Sequence, residues 1–247
     1  MAPLFQFAID RGGTFTDIWA KCPNGKIRVL KLLSMDPQNY LDAPREGIRR
    51  IIKQETGTEM SPDDLIDPDV IEWIRMGTTV ATNALLERKG ERMALVITKG
   101  FRDLLHIGNQ SRPKIFDLEI RTLDQLYEDV IEVEERLVLH QEKCEIAKQT
   151  QMGIGKTKEK VEIWEDVNQT KLRSDLQKLL DKGIQSLAVV LMHSYTYSKH
   201  EEEVGQIAID MGFKQVSLSS DVMPMVRIVP RGYTASADAY LTPCIKK

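Results

Sequence analysis

Two turns placed early in the chain limit its fold more than anything that follows. Phe5, Phe7 and Ile9 alternate with small or polar neighbours, the period-two pattern of a half-buried strand. Arg11-Gly12-Gly13-Thr14 then turns the chain, Thr16 to Ala20 returns it, and Pro23-Asn24-Gly25 turns it again before Ile27 to Leu32. Asn-Gly is a favoured pair for a tight hairpin. The chain therefore opens with an antiparallel meander whose first turn is rich in glycine and hydroxyls.

Beyond the meander, helices and strands alternate. Ala43 to Thr56 reads as a helix, with Pro44 in its first turn and Ile48, Ile51 and Ile52 on one face. Ser61-Pro62-Asp63-Asp64 starts a short helix, and Ile71 to Met76 is a strand. Gly77-Thr78-Thr79 leads into a helix from Val80 to Lys89, which Gly90 ends. Met93 to Thr98 is a buried strand, followed by a loop from Gly100 to Pro113 with one helical turn around Arg102 to Leu105. Ile131, Val133, Leu137 and Leu139 alternate as a further strand, with Glu135 on its apolar phase, the place of an edge or bulge residue more often than a catalytic one, or of an inward carboxylate. Gln141 to Lys160 is polar and reads as a surface excursion. Asn168 caps a helix to Asp181, and Leu187 to Met192 is the unbroken apolar run of a strand covered on both faces. Ser198-Lys199-His200-Glu201 is a capping box for a helix ending at Gly212. Val216 to Leu218 is a strand, and Thr234 to Leu241 begins a last helix. Together these predict an α/β fold with a mixed sheet.

The 247 residues carry 34 basic and 37 acidic side chains, a net charge of −3. That balance supplies no basic footprint for nucleic acid. No apolar run approaches the ~20 residues of a membrane-spanning helix, and Met1 to Asp10 lacks the basic start of a secretion signal. The expectation is a cytosolic protein with no nucleic-acid and no membrane partner. Cys22, Cys144 and Cys244 are read as free thiols, and His106, His140, His193 and His200 have no metal-ligand spacing.

Three segments could carry chemistry. In Asp10-Arg11-Gly12-Gly13-Thr14-Phe15-Thr16-Asp17, two glycines let backbone amides approach an anion, and Thr14 and Thr16 add hydroxyls. Carboxylates beside a phosphate cradle make sense when Mg²⁺ or its waters lie between them, which casts Asp10 and Asp17 as indirect metal ligands. Gly77, Thr78, Thr79, Thr82 and Asn83 form a second candidate at a helix start. A third is the loop holding Arg102, His106, Gln110 and Arg112, which could bind a small acid or be a solvated surface loop. Two other motifs fail. The first turn joins two strands, so it is no dinucleotide fingerprint. Gly155-Lys156-Thr157 has Thr150 where a P-loop needs glycine, so Gly153 to Lys158 reads as a solvated loop.

The segments Phe7 to Asp17, Arg75 to Gly90 and Gly100 to Leu105 resemble the hydantoinase/oxoprolinase family in its ATP-hydrolysing 5-oxoprolinase branch. Arg227 to Gly232 and Ala237 to Pro243 agree with it. The resemblance implies an actin, Hsp70 and sugar-kinase-like (ribonuclease H-like) ATPase lobe, incomplete in itself. It implies an N-terminal domain over 4–218 and the start of the following hydantoinase A domain over 219–247. It further implies opening of the lactam of 5-oxo-L-proline to L-glutamate at the expense of ATP, with Mg²⁺ and a monovalent cation such as K⁺, within the glutathione cycle. Asp10, Asp17, Thr79 and Asn83 would then be catalytic. Arg11, Gly12, Gly13, Thr14, Thr16, Gly77, Thr78 and Thr82 would hold nucleotide, and Arg102, His106, Gln110 and Arg112 the substrate. The family's full-length chains, which resemblance implies are homodimeric, carry a second phosphate turn in a second lobe. This chain alone is therefore expected to bind ATP weakly or not at all and to lack lactamase activity. Two alternatives stand beside this reading: a non-catalytic lobe acting by protein interaction, and a small-molecule kinase of the same ATPase fold.

Overall fold

The computed structural model describes residues 3–61, 64–109, 114, 116, 118, 119, 124–142 and 150–246. It divides into two compact units, Met1–Lys89 and Gly90–Lys247.

Unit 1 begins with the expected meander, β1 (Phe5–Arg11), β2 (Phe15–Lys21) and β3 (Ile27–Leu33). It continues through α1 (Ala43–Thr56), a 3₁₀ turn at Pro68–Val70, β4 (Ile71–Thr78) and α2 (Val80–Leu86). The sheet order is β3-β2-β1-β4, with β4 parallel to β1 and the other pairs antiparallel. Alternation sends Phe5, Phe7, Ile9, Ile18, Ala20 and Leu32 to one face, where they pack with Ile48, Ile51 and Ile52 of α1. Asp10, Asp17 and Trp19 lie on the opposite face. Positions 62 and 63 of the expected short helix lie outside the described residues. α2 stops at Leu86 rather than Lys89, and Arg88 takes a left-handed φ of 55° just beyond it.

Unit 2 contains a four-stranded parallel sheet ordered β11-β10-β5-β6, made of β5 (Met93–Thr98), β6 (Asp129–Val133), β10 (Ser186–Val190) and β11 (Gln215–Leu218). α4 (Gln169–Asp181) and α5 (Lys199–Asp210) cover one face, joining Leu172, Leu176, Val204 and Ile207 to Ala94, Val96, Leu187 and Val189. α7 (Ile228–Ile245) covers the other, where Ala235, Ala239 and Tyr240 meet Met93, Leu95, Ile97 and Val190. Burial on both faces explains the continuous apolar runs. α3 (Leu104–Ile107) and α6 (Ser219–Val222) are short connectors, and residues 219–246 pack within this unit. Among the described residues, no helix is long and apolar enough to cross a membrane.

Two sequence expectations change here. The strand expected across Ile131 to Leu139 is two strands. β6 belongs to the parallel sheet, and β7 (Arg136–Leu139) joins a separate antiparallel sheet ordered β7-β9-β8. Glu135 stands at that junction, fully buried. The polar excursion contains β8 (Gln151–Ile154) and leads directly into β9 (Lys160–Glu165), while residues 143–149, Cys144 included, lie outside the described residues.

Candidate functional site

The hairpin register puts Asp10 directly opposite Asp17, and the parallel pairing puts Gly77 beside Asp10 and Thr78 beside Arg11. Two sequence-distant candidates thus meet in one unit. Directly paired strand residues share a face, so the two carboxylates and Gly77 lie on the same side of the sheet. They border an open hollow of about 520 Å³ whose other walls include Ala8, Trp19 and Arg75. Like charges facing each other across strands repel. Lys31 relieves this from β3, with its Nζ 2.7 and 2.9 Å from the two Asp17 carboxylate oxygens. The Asp10 carboxylate makes no hydrogen bond or ion pair among the described residues.

The turn itself is held from two sides. The Arg11 carbonyl accepts from the Thr78 hydroxyl at 2.9 Å and from the Thr79 amide at 3.4 Å. The Gly12 amide donates to the Phe15 carbonyl at 2.9 Å. That amide is therefore engaged within the hairpin and is not offered to an anion, contrary to the expectation for Gly12. The amides of Gly13 and Thr14 find no acceptor among the described residues. A Cβ on Gly13 would come within 3.1 Å of Asn83 Nδ2, so the side-chain amide of α2 packs against this glycine. Asn83 Nδ2 also reaches Thr79 Oγ1 at 3.4 Å. Thr14 is exposed on the turn and Thr82 on α2.

Thr16 departs from its expected place. Its side chain points to the core face, is wholly buried, and lies 2.9 Å from the Ser34 hydroxyl. The reason is alternation: a residue adjacent to Asp17 must face the other way. Ser34 escaped the sequence reading. Its hydroxyl donates to the Gly12 carbonyl at 2.8 Å and its amide to the Thr14 carbonyl at 2.9 Å. The signal that could have found it is register, because continuing the β2–β3 pairing one step past Phe15 and Leu33 sets Thr14 opposite Ser34.

The third candidate set lies in unit 2. Arg102 is exposed and donates to the Val130 carbonyl at 2.9 Å, and His106 is exposed on α3. Gln110 and Arg112 lie outside the described residues. The Gly155 segment is the hairpin loop between β8 and β9: residues 156–159 are exposed, as expected, while Gly155 itself is buried. A Cβ on Gly155 would overlap Thr196, and the Lys156 amide donates to the Thr196 carbonyl at 2.6 Å.

Unit 2 also holds a buried polar network at the carboxyl ends of β5 and β10. Glu135 accepts from the Thr98 hydroxyl and lies 2.8 Å from His200 Nδ1. Glu201 was expected to close a capping box. It turns inward instead, accepting from the Leu191 amide at 2.8 Å, the Ser219 hydroxyl at 2.6 Å and the Ser220 amide at 2.8 Å. Arg231 is fully buried on α7, 4.0 Å from Glu201 and bonded to Ser194 and the Leu191 carbonyl. Burial holds the Arg231 guanidinium below its ordinary pKa. His193, with a left-handed φ of 57°, is likewise held below the usual imidazole value, by burial first and by the neighbouring Arg231 charge second. Among the described residues no cluster of three or more His, Cys, Asp or Glu side chains is arranged to hold a metal directly.

A mixed α/β chain that brings a diglycine hairpin turn, a facing carboxylate pair and a threonine-rich strand end together belongs to a recognisable class. The chain is a member of the hydantoinase/oxoprolinase family, whose N-terminal region matches residues 6–212. It is 57% identical over 243 residues to 5-oxoprolinase 1 of Arabidopsis thaliana and 51% identical over 249 residues to 5-oxoprolinase of Dictyostelium discoideum. Each alignment covers 98% of this chain and 19% of the relative, so the chain spans about one fifth of their length. Its fold is shared with the ATP-dependent caprolactamase of Pseudomonas jessenii, at TM-score 0.66 and 21% identity over 98% of this chain and 32% of that one. A nucleotide-free acetone carboxylase gives TM-score 0.67 and 19% identity over 97% and 32%.

Proposed function

We propose that this chain forms part of the nucleotide-phosphate site of an ATP-dependent 5-oxoprolinase, which opens 5-oxo-L-proline to L-glutamate. The observation that carries the reading is the convergence in unit 1 of the Gly13 turn, the Asp10–Asp17 pair and the Thr78–Asn83 segment. The 5-oxoprolinase relatives support the substrate.

A lactam is resonance-stabilised, so direct attack by water is slow. Transfer of the γ-phosphoryl group of ATP to the lactam oxygen makes the ring carbon electrophilic and installs phosphate as a leaving group. Water then adds at that carbon, the ring nitrogen takes up a proton and the C–N bond breaks to leave an acyl phosphate. A second water displaces the phosphate from that carbonyl carbon, giving glutamate, ADP and phosphate with two waters consumed. In this reading the free amides of Gly13 and Thr14 hold phosphoryl oxygens, where preorganised donors are worth most. Thr79 and Asn83 border the same region. Mg²⁺, when bound with the nucleotide, would neutralise phosphate charge. Asp10 and Asp17 fit it through its waters, since Asp10 is uncommitted and Mg²⁺ keeps several waters when only one or two carboxylates are near. Lys31 pairs with Asp17 and holds its carboxylate in place.

The test is a chimera in which this chain replaces the matching region of the full-length Arabidopsis enzyme. Glutamate and phosphate forming together from 5-oxo-L-proline and ATP, and lost in an Asp10→Asn version, is the expected result. ATP consumption that leaves a stable phosphorylated product would point to a kinase and overturn the proposal. So would a folded chimera with no ring opening.

A further inference from the structure

We propose that Ser34 is a positioning residue that aims the amides of the glycine turn at the phosphate. The inference rests on the phosphate reading of that turn. A trans peptide places its C=O and N–H on opposite sides, and among the described residues no peptide bond is cis. Ser34 holds two alternate turn carbonyls, Gly12 through its hydroxyl and Thr14 through its amide. The Gly13 and Phe15 amides, on the far ends of those two peptide planes, must therefore point away from Ser34. A Cβ on Gly13 would lie 3.1 Å from Asn83 Nδ2, so this turn residue packs beside α2.

The hydroxyl hydrogens fix the direction of the remaining bond. Ser34 has one, and it goes to the Gly12 carbonyl, so across the 2.9 Å contact Thr16 must donate and Ser34 accept. The order Thr16 to Ser34 to Gly12 is thus a relay of two hydroxyls inside a buried pocket, with Ser34 only 4% exposed. It leaves no alternative rotor that satisfies all three groups. A glycine turn is intrinsically permissive, and Ser34 removes that freedom from outside the turn. Thr16, read from sequence as a phosphate ligand, serves in this arrangement as the donor that orients Ser34.

The experiment follows the Gly13 and Thr14 amide signals by proton–nitrogen NMR while the chain is titrated with magnesium pyrophosphate into the millimolar range. In the unmodified chain both signals are expected to move and saturate. Ser34→Ala should weaken that response about tenfold, the size of one lost orienting hydrogen bond. Ser34→Thr, which keeps the hydroxyl, should restore it. Thr16→Val should weaken it by less than Ser34→Ala. An unmodified chain whose turn amides ignore pyrophosphate would overturn the phosphate reading and this inference with it. A normal response in a folded Ser34→Ala chain would overturn the positioning role alone. Should the alanine variant fail to fold, Ser34→Cys keeps a γ-atom with a weak donor, and unchanged affinity in that variant would equally overturn it.

Discussion

Replacing Arg231 with methionine tests whether the buried network of unit 2 is a true charge pair. Arg231 and Glu201 are both fully excluded from solvent, 4.0 Å apart. The guanidinium also serves Ser194 and the Leu191 carbonyl, while its Nε has no partner among the described residues. Arg231→Met removes the only cation facing Glu201 among the described ion pairs. The carboxylate keeps its bonds from Leu191, Ser219 and Ser220 but loses its counter-charge. Breaking a buried pair from one side costs about 3–5 kcal/mol. For a body the size of unit 2, each kcal/mol lowers the melting temperature by roughly 2–4 °C. The expected drop is therefore about 6–20 °C. Adding Glu201→Gln removes the stranded charge and keeps one carbonyl oxygen to accept from the Leu191 amide and the Ser219 hydroxyl, while the Ser220 amide loses its acceptor. The double variant should then be more stable than the sum of single losses by about 0.5–3 kcal/mol. Urea and thermal unfolding followed by circular dichroism read all four proteins of the cycle. A loss below about 1 kcal/mol in Arg231→Met, or strict additivity, would refute the charge-pair account.

Two further outcomes follow from packing and titration. Gly90→Ala drives a Cβ into the ring of Tyr240, which is buried and whose carbonyl takes the Glu91 amide at 2.9 Å. A loss of about 1–3 kcal/mol by urea unfolding is expected, and an unchanged midpoint would show that the ring yields freely. His193 is held below its ordinary pKa of 6.5. The unfolded chain therefore binds the proton more readily, so stability from this group is present above that value and is lost as pH falls through it. Arg231 and Arg136 disfavour the imidazolium, whereas Glu135 and Glu159 favour it. Unfolding at pH above and below the imidazole range should show this loss, and His193→Asn, which tolerates the left-handed backbone, should remove that component. A slope unchanged by the substitution would sink the assignment.

The fold was legible where one pattern decides one element. Alternation and two turn signals located the meander, because a strand's period and a glycine turn are local properties. The runs Met93 to Thr98 and Leu187 to Met192 announced strands covered on both faces. The same logic failed at Ile131 to Leu139. An alternating phase continues across Glu134 and Glu135, yet the chain changes sheets there, and only the burial of Glu135 against Thr98 and His200 explains why a carboxylate holds an apolar phase. Ser198 and Glu201 matched a capping pattern, but Ser198 bonds Glu202 at 2.5 Å and Glu201 serves the core. A short motif describes which bonds are available, and long-range partners decide which are made.

The candidate site divides in the same way. Residue types and spacing determined that Asp10 to Asp17 forms a glycine turn flanked by acids, and that Thr78 to Asn83 forms a polar strand end. Only the tertiary structure decided that β4 pairs beside β1 and so sets Gly77 against Asp10, that Thr16 faces inward, and that Ser34 braces the turn. Local sequence governs dihedral preference and the phase of side chains along a strand. Which strand lies alongside, and hence which peptide groups remain free, depends on pairings between residues tens of positions apart, and those are chosen by burial of the whole sheet face.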